Sequence, residues 1–120
     1  MKYDWTDTYL LQKKGVSKDF KEEWGWFRYM IDGKLFAALC LDETGKPVYL
    51  TLKIDPDEGV RMRAEYEDII PGYYMNKTHW ISVRADGNVP DETVRTLLDG
   101  AYKRLLLSFS KKRQLEILGL

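Results

Sequence analysis

The chain is poor in the residues that usually carry chemistry. It has one cysteine, Cys40, and one histidine, His79, among 120 residues. A lone cysteine excludes an intrachain disulfide, and one Cys with one His excludes the usual zinc ligand sets. A serine–histidine–aspartate arrangement would have to be built around His79 alone. Neither a Gly-x-Ser-x-Gly elbow nor a Gly-x-x-x-x-Gly-Lys-Ser/Thr phosphate loop occurs. The adjacent carboxylates Glu22-Glu23 and Asp57-Glu58 sit in polar surroundings and read as solvated or capping groups. The sequence therefore predicts a protein that is not an enzyme and uses no cofactor or metal.

Long hydrophobic runs are missing too. None approaches the ~20 residues of a membrane span, and Met1-Lys2-Tyr3-Asp4-Trp5 lacks the basic start and apolar stretch of a secretory signal. The expectation is a cytoplasmic monomer with no membrane contact, with Cys40 a small buried hydrophobe inside Leu39-Cys40-Leu41. An excess of one charge is also absent: 19 basic and 19 acidic groups cancel. That balance speaks against strong non-specific nucleic-acid binding, which depends on neutralising phosphates. The distribution is mildly uneven. Residues 1–68 hold 11 basic and 14 acidic groups, and residues 69–120 hold 8 and 5. An anionic partner would thus be drawn to the C-terminal half.

What is abundant is aromatic surface, 13% of residues, with four Trp and eight Tyr. Bulky rings supply apolar area that offsets chain entropy, so the chain should fold as one domain over residues 1–120. Residues 4–14 read as a helix that buries Trp5, Tyr9 and a neighbouring leucine, with Gly15 as its stop. Residues 25–53 read as three antiparallel strands. Asp32-Gly33 turns the first pair, because both central positions tolerate positive φ. Leu35, Ala37, Leu39 and Leu41 share one face of the middle strand, and Val48, Leu50, Leu52 and Ile54 alternate along the third. Asp55, Pro56 and Glu58 form a capping box that starts a second helix over 55–66, with Val60, Ala64 and Tyr66 inward. A fourth strand follows over His79–Arg84. A last helix, about 90–109, aligns Val94, Leu97, Leu98, Ala101, Leu105 and Phe109. Gly100 inside it suggests a close helix–sheet contact. The predicted class is α+β, order α-β-β-β-α-β-α, with an antiparallel sheet covered by helices on one face only.

Several segments carry a further signal: Gly15-Val16-Ser17-Lys18-Asp19-Phe20, Gly33-Lys34-Leu35-Phe36-Ala37 and Leu50-Thr51-Leu52-Lys53-Ile54-Asp55-Pro56. The strongest is Pro71-Gly72-Tyr73-Tyr74-Met75-Asn76-Lys77-Thr78-His79-Trp80, followed by Asp86-Gly87-Asn88-Val89-Pro90-Asp91-Glu92 and the region of Tyr102. From about Gly15 to Lys112 the sequence resembles the YjbR/MmcQ-like family of small bacterial proteins. The resemblance implies a frataxin-like (CyaY-like) fold. It also implies a DNA-binding role, because paired β-hairpins in such proteins look like a double wing. Fold alone does not fix function. Two positions depart from the pattern: Tyr74 stands where the family often has histidine, and Lys13-Lys14 where it often has Leu-Pro. Frataxin-like proteins bind iron on an acidic helix face, but only Asp4 and Asp7 are available here.

Asn76-Lys77-Thr78-His79-Trp80 is the segment with most chemical potential. An amide, an ammonium and an imidazole beside an indole can hold a phosphate and stack a base. The candidate nucleic-acid-binding set is Lys53, Tyr74, Asn76, Lys77, His79, Trp80 and Arg84, with Lys53 joining if its strand lies adjacent. The structural alternative is that Trp80 fills core, Asn76 closes a turn and Lys77 is solvated. Lys103, Arg104, Lys111, Lys112 and Arg113 form a second basic cluster, which either binds phosphate or complements a helix C-terminus. Two functions stay open: a binding module that contacts double-stranded DNA weakly through hairpin tips and residues 74–84, or an interaction domain for a protein or small ligand.

Overall fold

The computed structural model describes residues 2–120. Helix α1 (Thr6–Leu11) precedes strands β1 (Val16–Lys21), β2 (Trp26–Ile31), β3 (Lys34–Leu41) and β4 (Pro47–Lys53). Helix α2 (Pro56–Glu65), strands β5 (Ile69–Pro71) and β6 (Trp80–Arg84), and helices α3 (Asp91–Ser108) and α4 (Lys111–Leu118) complete the chain. The class is α+β, as expected, but the order is richer than the sequence reading. Among the described residues the sheet has six strands in the order β1-β2-β3-β4-β6-β5, with every neighbouring pair antiparallel.

Local chemistry explains the elements that were foreseen. Asp32 and Gly33 both take positive φ, 51° and 76°, in the β2–β3 turn. Asp55 caps α2 by accepting from the Glu58 amide at 3.3 Å, with Pro56 in the first turn. The buried face of α3 is Val94, Leu97, Leu98, Ala101, Leu105 and Leu106. Those side chains meet Ile31, Leu50, Leu52, Ile81 and Val83 in one core cluster. Burying each such side chain contributes roughly 1.5–3 kcal/mol.

Four expectations are corrected. Helix α1 is shorter than residues 4–14, and its fully buried side chains are Thr6 and Leu10 beside Tyr3, with Trp5 and Tyr9 only part-buried. Strand β3 does not keep one alternation. A bulge between the Tyr29–Ala37 and Met30–Leu35 pairs leaves Phe36 unpaired. Phe36 and Ala37 therefore both enter the helix-side core, and Leu35 packs on the opposite face. On α2, Val60 is 57% exposed and Ala64 is exposed, while Gly59 is buried. The close helix–sheet approach is at Gly59, where a Cβ would stand 3.2 Å from Ile54 Cγ2, and not at Gly100, where its nearest neighbour would be Arg104 Nη1 at 3.9 Å. Strands β1 and β5 and helix α4 complete the list of elements the pattern did not reveal.

Helices cover one face of the sheet only, as expected, and the opposite face positions the site. The sheet face away from the helices is not bare. Trp26, Ala38 and Cys40 are buried there, and Leu35, Tyr49, Tyr73 and Met75 pack against them. The cover comes from the loop 72–79, which folds back over the sheet. Gly72 makes this possible, since a Cβ at that position would lie 2.6 Å from Trp80 Cβ. Beneath the loop, Tyr73 N–H donates to Ser82 Oγ at 2.9 Å, Ser82 Oγ meets Thr51 Oγ1 at 2.7 Å, and Cys40 Sγ lies 3.6 Å from Thr51 Oγ1. These bonds satisfy two wholly buried hydroxyls that would otherwise be costly.

Candidate functional site

The structure separates the seven residues singled out in the sequence. Strand β4 does lie beside β6, and Lys53 pairs in register with Trp80. Trp80 is only 8% exposed, so its indole fills space rather than offering a stacking face. Asn76 is a turn-former: its Oδ1 accepts from the amides of Thr78 at 2.9 Å and His79 at 3.1 Å. Lys77 is solvent-facing, but its ammonium donates to the Gly72 carbonyl at 2.9 Å. His79 is exposed, and its carbonyl accepts from the Ile54 amide. Arg84 is exposed and lies 3.8 Å from Asp68. The segment expected to cradle a phosphate is thus occupied largely with holding its own loop.

The second basic cluster is also divided. The chain breaks between α3 and α4, where Ser110 Oγ accepts from the Arg113 amide. Arg113 then forms a two-pronged pair with Asp32, both bonds 2.6 Å, which clips α4 to the β2–β3 turn. Arg104 faces Glu58 at 3.8 Å. Cys40 is buried, and burial pushes its thiol up to about 11 despite the Thr51 hydroxyl beside it. A thiol so protonated is a poor nucleophile at neutral pH. Among the described residues no three His, Cys, Asp or Glu side chains converge as metal ligands, and no helix is long and apolar enough to cross a membrane.

Tyr74 is the exception among the seven. It is 80% exposed and has φ of 56°. Positive φ in a bulky residue is strained, and such strain persists where surrounding structure enforces it. Here it lifts the Tyr74 ring off the loop and against Tyr73, centroids 4.4 Å apart. Tyr73 in turn lies 4.7 Å from the Tyr49 ring. Across from Tyr74, the β1–β2 turn presents Trp24, 51% exposed, whose ring meets Trp26 edge-on at 5.3 Å. Between them lies an open groove of about 430 Å³ walled by Trp24, Trp26, Tyr74 and Met75, with Glu23 at its edge.

Trp24, Trp26 and Met75 were not foreseen as site residues. Trp26 falls within the span that the pattern predicts as strand, and Trp24 lies just before it. The signal was present in Glu22-Glu23-Trp24-Gly25: a tryptophan inside a polar turn has no strand or helix period to bury it. Gly25, at φ 68°, closes that turn, and its carbonyl accepts from Leu41 N at 2.9 Å, tying the turn to the end of β3.

Comparison with known proteins places this geometry in a family. The YjbR family model matches residues 11–104. The chain is 28% identical over 108 residues to YjbR of Escherichia coli K12, covering 89% of this chain and 90% of that protein. It is 28% identical to YyaQ of Bacillus subtilis 168, covering 78% of this chain and 97% of that one. Both relatives are described as uncharacterised. Among solved structures, the Deinococcus radiodurans protein DR2400 superposes with a TM-score of 0.80 at 28% identity, covering 96% of this chain and 86% of that one.

Proposed function

The chain belongs to the YjbR family, and on that premise we propose that it works as a non-enzymatic binding module whose protein partner docks on the groove between Trp24 and Tyr74. One observation carries the reading: two large rings, Trp24 and Tyr74, stand exposed on opposite walls of an apolar groove. Tyrosine and tryptophan anchors of this kind dominate binding energy at protein interfaces. The strained backbone at Tyr74 holds a ring that is 80% exposed, which fits a role in contact.

Contact with duplex DNA is the second reading, favoured by the position of Lys53 and Arg84. Both alternate to the sheet face that carries the groove, since Lys53 shares the parity of Tyr49, and Arg84 pairs with Tyr49. Against it stands the engagement of Asn76 and Lys77 within their own loop.

The two readings separate in one capture experiment. Tagged protein and its Trp24→Ala/Tyr74→Ala variant are recovered from cells at equal expression, and bound protein and bound nucleic acid are quantified. The expected result is a protein species held by the wild type and lost from the double variant. Nucleic acid lost on Lys53→Glu/Arg84→Glu, with no groove-dependent protein, favours DNA instead. Identical recovery of every species by wild type and the groove variant overturns the groove reading.

A further inference from the structure

The groove does not end at Trp24. On the other side of that ring a second depression of about 460 Å³ is lined by Glu22, Glu23, Asp42 and Glu43 with Phe20 and Leu41. Glu23 and Trp24 belong to both. Of the four carboxylates, Glu23 has a cation partner in Lys21 at 3.0 Å, and Asp42 is engaged by the Thr44 hydroxyl and the amides of Thr44 and Lys46. Lys21 holds the Glu23 carboxyl below its usual range, and Thr44 does so for Asp42, so both are ionised at neutral pH. Two further cations stand near: Arg28 is committed to Asp19 at 2.8 Å, and the Lys46 charge acts on Asp42. The indole of Trp24 already attracts two of these cations, with Lys21 Nζ 5.5 Å and Arg28 Cζ 5.7 Å from its centroid. An aromatic wall beside a negatively charged rim is the environment a guanidinium prefers, since it stacks on the ring while its fork meets carboxylate.

A further feature points to a polypeptide as the carrier. Strand β1 ends at this turn, and among the described residues it pairs only with β2, leaving its other edge open. An extended segment can add to such an edge through backbone hydrogen bonds. From this juxtaposition we propose that the β1 edge and the Trp24 groove together receive an extended, arginine-bearing segment of a partner protein, with one guanidinium seated between Trp24 and Glu22–Glu23. The inference rests on the groove being the docking site and adds the chemistry of what docks.

The test follows the indole N–H signals of Trp24 and Trp26 and the β1 amides by NMR. Four probes are titrated at low salt: a soluble arginine–serine peptide, the same peptide with glutamate for arginine, the same with leucine for arginine, and spermine. The arginine peptide is expected to move both indoles and the β1 amides, and Glu22→Gln/Glu23→Gln to weaken it about fivefold or more. Both variant sites are exposed, and an unchanged amide spectrum verifies the fold. No response to the arginine peptide overturns the proposal. So does a glutamate or leucine peptide that binds equally. Spermine moving the indoles as strongly, with β1 silent throughout, overturns the polypeptide assignment. A leucine peptide that binds better leaves the groove as a docking site and removes only the cation, whereas failure of the capture experiment removes both.

Discussion

Gly100 shows how a residue can mislead when read without its surroundings. Its place inside α3 suggests a close packing contact, yet a Cβ there would meet only Arg104 Nη1, at 3.9 Å. Alanine should therefore fit and restrict the unfolded chain, so Gly100→Ala is expected to stabilise the protein by about 0.5–1 kcal/mol. A urea denaturation midpoint that falls in this variant would show the space to be filled. Tyr74 and Asn76 make the complementary point. Asn76 in a turn was legible, because short amide side chains bond the backbone two or three residues on. The positive φ of Tyr74 was not, since no local rule asks a tyrosine for it. Trp24 escaped because periodicity identifies buried residues, and this ring owes its interest to being left out.

At the scale of elements, what was legible followed the strength of the alternation. Strands β2 and β4 and helix α3 have long apolar patterns, and the chain follows them. Strand β1 has only Val16 and Phe20 among Ser17, Lys18, Asp19 and Lys21. An edge strand needs little burial, so its pattern resembles a loop. Helix α4 looked like a basic tail, although Ser110 and Gly119 mark its two ends. The β3 bulge was invisible because one unpaired residue shifts parity without altering composition. Helix α1 is too short to persist alone, and buried Leu10 and a set of electrostatic clips attach it. Asp7 accepts from Lys18 Nζ at 2.6 Å and from the Tyr29 hydroxyl at 2.7 Å. Asp99 accepts from Tyr9 and Lys13, both at 2.6 Å. The Lys18 hydrogen bond leads in lowering Asp7; burial works to raise Asp99, but its bonds to Lys13 and Tyr9 prevail, and it too titrates low. The unfolded chain thus binds more protons than the folded one near the ordinary carboxylate value of about 3.9. Stability from these clips is complete above that value and is lost as pH falls through the lower folded values. The urea midpoint should drop on acidification across this range, and Asp7→Asn should flatten the drop. A profile equally steep in Asp7→Asn would remove Asp7 from the account.

For the molecule as a whole, the sheet divides the work. Helices seal one face into the main core, and the loop 72–79 with the β1–β2 turn leaves an aromatic groove on the other. The family resemblance and the α+β class were readable along the chain. The groove was not, because Trp24 and Tyr74 lie fifty residues apart in sequence and meet only once the loop folds over Trp26, Ala38 and Cys40. A photo-reactive amino acid placed at position 24, and at position 60 on the helical side as a control, reads this division directly in living cells. Val60 is as exposed as Trp24, so simple accessibility favours neither site. The expected outcome is a discrete protein adduct from position 24, absent from position 60 and abolished by Tyr74→Ala; adducts of equal yield from both positions, or none from position 24, would contradict a partner surface at the groove.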